Sequence, residues 1–115
     1  MRKVRVGIWG FGAMGIGMAN MILKKEGIEI VSVCSRSTSG KSMYDVLGIE
    51  RGERPEVIIN KNYEEVFREK SVDVVLLATD SFTKKAFDKI IFLLNRKINV
   101  ISTAEQMAYP QADDA

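Results

Sequence analysis

Short apolar runs alternate along the chain with stretches whose apolar residues recur every three or four positions. The runs Val4 to Trp9, Ile28 to Cys34, Val57 to Ile59, Val72 to Ala78 and Asn99 to Ser102 read as five strands. Between them, Ala13 to Lys25 reads as a helix with Met14, Met18, Met21 and Ile22 on one stripe. Gly27 is expected to close it, with Lys24 and Lys25 at its negative end. Lys41 to Leu47 reads as a short helix stopped by Gly48, and a charged loop with Pro55 leads into the third strand. Asn62 reads as the cap of a helix with Glu64 and Glu65 in its first turn and Tyr63, Val66 and Phe67 on one face. Thr83 to Arg96 carries Ala86, Phe87, Ile90, Ile91, Leu93 and Leu94, read as core packing. Val72 to Ala78 is almost unbroken apolar sequence, as a strand covered by helices on both faces requires. This alternation, with right-handed crossovers, predicts an α/β fold: a doubly wound parallel sheet in the order 3-2-1-4-5.

The first strand runs directly into Gly10, Gly12 and Gly15, and a helix opens at Ala13. G-x-G-x-x-G between a strand and a helix, with a second strand completing a unit of roughly thirty residues, is the fingerprint of a Rossmann NAD(P)-binding domain. Gly10 is expected to make the tight turn, Gly12 to let backbone approach a pyrophosphate, and Gly15 to let helix and strand pack closely. The helix start then presents free N–H groups and a positive dipole end to the phosphates. Phe11, Ala13 and Met14 complete the predicted cofactor loop, and Gly17 is attributed to helix packing.

In such sheets the ligand lies beyond the carboxyl ends of the strands. An acidic residue about twenty positions past the glycines would bind the adenosine ribose 2′-OH and repel a 2′-phosphate. Ser35, Arg36, Ser37 and Thr38 stand there instead. Hydroxyl donors and a guanidinium favour NADP over NAD; the alternative for Arg36 is a solvated loop charge or one that stacks on adenine. Thr79, Asp80, Ser81 and Phe82 follow the fourth strand and are expected to line the path to the nicotinamide. Asp80 is either an acid-base group or, with Ser81, a helix cap. Glu105 follows the fifth strand, suited to holding an ammonium or imine or to moving a proton; a plain surface glutamate is the alternative.

Composition narrows the chemistry further. At 115 residues the chain is one domain's worth, short for a dehydrogenase with its own substrate domain. Residues 1–111 are therefore expected to form the cofactor domain and 112–115 a tail. Seventeen basic and fifteen acidic residues leave a net charge of +2, scattered rather than patched, which points away from nucleic-acid and membrane partners. The single cysteine, Cys34, cannot form an internal disulfide and suits a reducing cytoplasm. The chain has no histidine, which excludes histidine acid-base chemistry and histidine-held metals within it.

Gly-Ile-Trp-Gly-Phe-Gly-Ala-Met-Gly at 7–15, Leu-Leu-Ala-Thr-Asp-Ser-Phe at 76–82 and Asn-Val-Ile-Ser-Thr-Ala-Glu-Gln-Met-Ala-Tyr-Pro at 99–110 resemble the amino-terminal domain of the 2,4-diaminopentanoate dehydrogenase family. That family sits among the dihydrodipicolinate reductase-like oxidoreductases, and the resemblance spans Val4 to about Gln111. It implies reversible NAD(P)-dependent oxidative deamination of a small diamino acid in ornithine breakdown, with Glu105 engaging the substrate nitrogen. It also implies a second domain, outside these residues, that binds substrate and builds a homo-oligomer. Without that domain the chain is expected to be inactive. The alternatives are a dihydrodipicolinate or semialdehyde-type reductase, and a non-catalytic NADP(H)-sensing module.

Overall fold

The computed structural model describes residues 3–68, 72–78 and 84–102. In chain order the elements are β1 (Val4–Trp9), α1 (Ala13–Leu23), β2 (Ile28–Cys34), α2 (Met43–Leu47), α3 (Tyr63–Val66), β3 (Val74–Leu77), α4 (Lys84–Asn95) and β4 (Asn99–Ser102). The strands form one parallel sheet in the order β2-β1-β3-β4. This is the predicted doubly wound class without its expected third strand. Val57 to Ile59 takes part only in isolated bridges, Ser42 with Ile58 and, one residue on, Cys34 with Asn60. The reason lies in its hydrogen bonds: Val57 accepts from the Met43 N–H at 2.8 Å and Ile59 donates to the Lys41 carbonyl at 2.9 Å. The segment bonds to the chain before α2 and meets the end of β2 only through Asn60, so its pairing there stops at a single bridge.

Side chains alternate across the sheet and fill two apolar layers. On one side Val6, Ile8 and Leu76 meet Ala19 and Ile22 of α1 and Met43 of α2. On the other, Trp9, Val75 and Leu77 meet Phe67 and Leu93. A bulge makes β2 serve both layers: its register along β1 jumps from Ile30 to Ser32 between Val6 and Gly7. The extra residue resets the alternation. Val33 therefore joins Ile30 in the α1 layer, and Cys34 faces the Phe67 layer. Gly7 opposes this bulge, where a Cβ would lie 2.8 Å from the Phe67 ring and 2.9 Å from Ser32 Oγ.

Three sequence expectations are corrected. The inward stripe of α1 is Gly15, Ala19 and Ile22, with Met18 partly covered, whereas Met14 and Met21 are exposed. Small residues hold the helix close to the sheet, which leaves the long methionines outside. The helix ends at Leu23, so Lys24 and Lys25 lie beyond its last turn; Gly27, at φ +83°, sits farther along and accepts from the Val4 N–H. In α4 Leu93 is buried and Ile90 partly so, but Phe87, Ile91 and Leu94 form an exposed row. The apolar residues of the twelve-residue helix span a wider arc than the side that Leu93 and Ile90 bury.

The Asn62 cap is as expected: its side chain accepts from the N–H groups of Glu64 at 3.1 Å and Glu65 at 3.4 Å. This short helix delivers Phe67, which is fully buried, beneath Trp9 with ring centroids 5.1 Å apart. Truncation by Phe67→Ala is expected to destabilise the fold by about 3–5 kcal/mol. Urea unfolding followed by Trp9 fluorescence measures it; a loss below about 1 kcal/mol would show that the site collapses without cost.

Candidate functional site

The turn after β1 is fixed from both sides. The Gly10 N–H donates to the Cys34 carbonyl at 2.8 Å, and the Ala78 N–H donates to the Trp9 carbonyl at 2.9 Å. Gly10 adopts φ +98°, and a Cβ on it would lie 2.5 Å from the Ala78 carbonyl oxygen. Only glycine satisfies both the dihedral and the clearance. A Cβ on Gly15 would overlap the Gly10 carbonyl oxygen and touch the Phe11 ring. The expected helix-to-strand contact at Gly15 is therefore a contact between the helix and its own entry turn. Gly17 is exposed, and open space surrounds the place that a Cβ would take, so it does not serve packing.

Gly12 differs from both Gly10 and Gly15. It is the N-cap of α1 with φ −89° and ψ −155°, a conformation open to any residue, and no atom lies within 4 Å of where its Cβ would be. No side chain caps the helix, and its first turn carries no acidic residue. Amide donors of the first turn thus face an open cradle that a Cβ at Gly12 would enter. This is the arrangement that a diphosphate requires. The residues fit the dinucleotide that the sequence implies. Ala13 and Met14 are exposed beside the cradle, while the Phe11 side chain is buried in the core and leaves only its backbone to the loop.

The loop after β2 is anchored by the Ser35 N–H donating to the Asn60 carbonyl at 3.1 Å and the Gly40 N–H donating to the Ile59 carbonyl at 2.7 Å. Ser35 is buried with its hydroxyl 3.5 Å from that of Ser37, and Arg36 and Ser37 are exposed. Thr79, Asp80, Ser81, Phe82 and Glu105 lie outside the described residues. The structure thus brings together the glycine turn and the Ser35 to Ser37 loop.

Between these two loops opens a cavity of about 550 Å³, bounded by Gly10, Ser35 and Arg36 and walled by Trp9, Tyr63 and Phe92. Tyr63 stacks on Trp9 at 5.0 Å, and Phe92 meets Tyr63 edge-on at 4.9 Å. The Lys89 ammonium lies 5.2 Å from the Trp9 ring centroid. An apolar aromatic wall beside cationic groups suits a planar heteroaromatic base carrying phosphate. Sequence reasoning placed Tyr63 in a helix face and passed over Phe92, because their meeting with Trp9 depends on how α3 and α4 cross the sheet. The available signal was the lone tryptophan at the end of the strand that feeds the glycine turn.

Cys34 lines the same cavity from behind, with its thiol donating to the Lys61 carbonyl at 3.7 Å. Burial pushes its pKa up to about 11, against a smaller lowering by Lys89. The thiol stays protonated at neutral pH, in keeping with a structural role.

The open space at Gly12 yields a separable test. Gly12→Ala is expected to leave stability within about 0.5 kcal/mol, since the backbone allows it and nothing collides, yet to weaken NADPH binding at least about tenfold by filling the cradle. Thermal unfolding and a fluorescence titration measure the two quantities, and undiminished binding would show that phosphate does not approach there.

Comparison with known proteins agrees with this geometry. Residues 5–112 match the family model described as semialdehyde dehydrogenase, NAD binding domain. The chain is 58% identical, over 99% of its length, to 2,4-diaminopentanoate dehydrogenase from Acetoanaerobium sticklandii, of which it spans 32%. Among solved structures, it is similar to an amine dehydrogenase from Mycobacterium smegmatis, with a TM-score of 0.76 and 26% identity over 93% of this chain and 31% of that one. It also shares its fold with a dipicolinate-bound dihydrodipicolinate reductase from a Paenisporosarcina species, with a TM-score of 0.63 and 21% identity over 93% of this chain and 41% of that one. The chain spans about a third of the curated relative that it matches. It belongs to the semialdehyde dehydrogenase NAD-binding domain family, and its cofactor is a nicotinamide dinucleotide.

Proposed function

We propose that this chain is the NADP-preferring cofactor domain of an enzyme that oxidatively deaminates a 2,4-diamino acid. Residues 1–111 form the domain, 112–115 a tail, and substrate binding and oligomer contacts come from polypeptide outside these residues. The observation that carries this reading is the 58% identity, across nearly the whole chain, to a protein named for that activity. The 26% identical amine dehydrogenase supports chemistry at a carbon–nitrogen bond. The working enzyme is taken to be a cytoplasmic homo-oligomer acting on a free amino acid.

Each group of the chain then has a task. Amides at the start of α1, with Gly12 leaving room, hold the diphosphate. Ser35 and Ser37 offer hydroxyls and Arg36 a guanidinium to the ribose phosphate, where a carboxylate would repel it. Thr79 to Phe82 line the route toward the nicotinamide. When bound, the cofactor supplies the hydride acceptor. Glu105 holds the substrate nitrogen by charge-assisted hydrogen bonds and takes up its proton as the adjacent carbon gives up its hydride, and water then hydrolyses the resulting imine to a carbonyl and ammonia.

The test is kinetic and uses the enzyme that carries this domain. It is expected to oxidise 2,4-diaminopentanoate with a higher kcat/KM for NADP⁺ than for NAD⁺. Glu105→Gln is expected to lower kcat about a hundredfold while leaving NADPH affinity within about twofold. An unaffected kcat would return Glu105 to a surface residue, and no turnover of any diamino acid by the unmodified enzyme would overturn the assignment.

A further inference from the structure

The cavity walled by Trp9, Tyr63 and Phe92 has a third cation beside Arg36 and Lys89. Lys61 lines it along with Arg36. Its position is set by its backbone. Asn60 donates its N–H to the Val33 carbonyl at 3.2 Å and accepts from the Ser35 N–H at 3.1 Å, which bridges it to Cys34. The Lys61 carbonyl accepts from the Cys34 thiol, and the Asn62 N–H donates to Asn60 Oδ1 at 2.8 Å as Asn62 caps α3. Lys61 therefore leaves the end of the sheet beside Ser35, and Arg36 leaves it one residue later. The two side chains belong to segments some twenty-five positions apart but border one space.

Both side chains are exposed, and neither has a hydrogen-bond or ion-pair partner among the described residues. The lining also holds Lys89, turned over the Trp9 ring, and a single carboxylate, Asp88. Like charges on a shared rim raise each other's energy unless an anion comes between them. A phosphate dianion with three acceptor oxygens serves both a planar guanidinium and a flexible ammonium.

We propose that Lys61 and Arg36 together clamp the ribose 2′-phosphate of the cofactor, so that selection of NADP is divided between the loop after β2 and the segment before α3. This rests on the NADP-preferring reading above. It assigns to Lys61 a specificity role that the position of the glycine motif does not give.

The probe is adenosine 2′,5′-bisphosphate, compared with adenosine 5′-monophosphate, which lacks the 2′-phosphate. Binding to the whole chain is read by calorimetry and by quenching of Trp9, its single tryptophan. Lys61→Ala and Arg36→Ala are each expected to weaken bisphosphate binding about tenfold and to leave monophosphate binding within about twofold. Lys61→Arg is expected to keep the preference. Loss of preference in Arg36→Ala with none in Lys61→Ala would overturn the shared clamp and leave the NADP reading standing. Equal weakening of both probes by Lys61→Ala would overturn it too, by showing a general charge effect. Equal affinity of the unmodified chain for both probes would overturn the clamp together with the reading beneath it.

Discussion

The structure depends on one crowded peptide, the one at Gly10. Its N–H is bonded to the end of β2, the carbonyl before it is bonded to the chain leaving β3, and its α-carbon faces the Ala78 carbonyl with no room for a side chain. A left-handed turn is the only way out of β1 under those constraints. That turn leads directly from the carboxyl end of β1 into α1. The absence of a Cβ at Gly15 then lets the helix settle onto the Gly10 carbonyl. Two of the three motif glycines are thus structural, and the shape they enforce leaves the third, Gly12, in open space with uncapped amides behind it. That open space follows from packing.

The bulge in β2 is the second determinant. Without it Val33 and Cys34 would exchange faces, and the aromatic layer of Trp9 and Phe67 would lose the residue that seats it against β2. Gly7 makes the bulge possible on the opposite strand by leaving room for Ser32 and the Phe67 ring. The same displacement sets where Ser35 and Arg36 emerge. The loop after β2 is therefore positioned by core packing, and it borders the cavity walled by Trp9, Tyr63 and Phe92.

Local signals made much of this legible in the sequence. The G-x-G-x-x-G spacing, the Asn62 cap and the apolar run through β3 each report on a few neighbouring residues, and each stands where it was expected. The misreadings share a cause: they depend on contacts between elements distant in sequence. Met14 and Met21 looked like core by periodicity, but Ala19 and Ile22 pack against the strands and Gly15 against the entry turn. Val57 to Ile59 had strand composition, yet its hydrogen bonds went to the chain before α2. The aromatic wall joins Trp9, Tyr63 and Phe92 from three elements, and no short window of sequence carries that contact. Lys61 was invisible for the same reason.

The most direct test of the account is a titration of the isotopically labelled chain with NADPH, observed through its backbone amide resonances. If the start of α1 is the diphosphate cradle, the amides of Ala13, Met14 and Gly15 move most and saturate together with those of the Ser35 to Ser37 loop. Saturable binding in which those three amides stay fixed would contradict it.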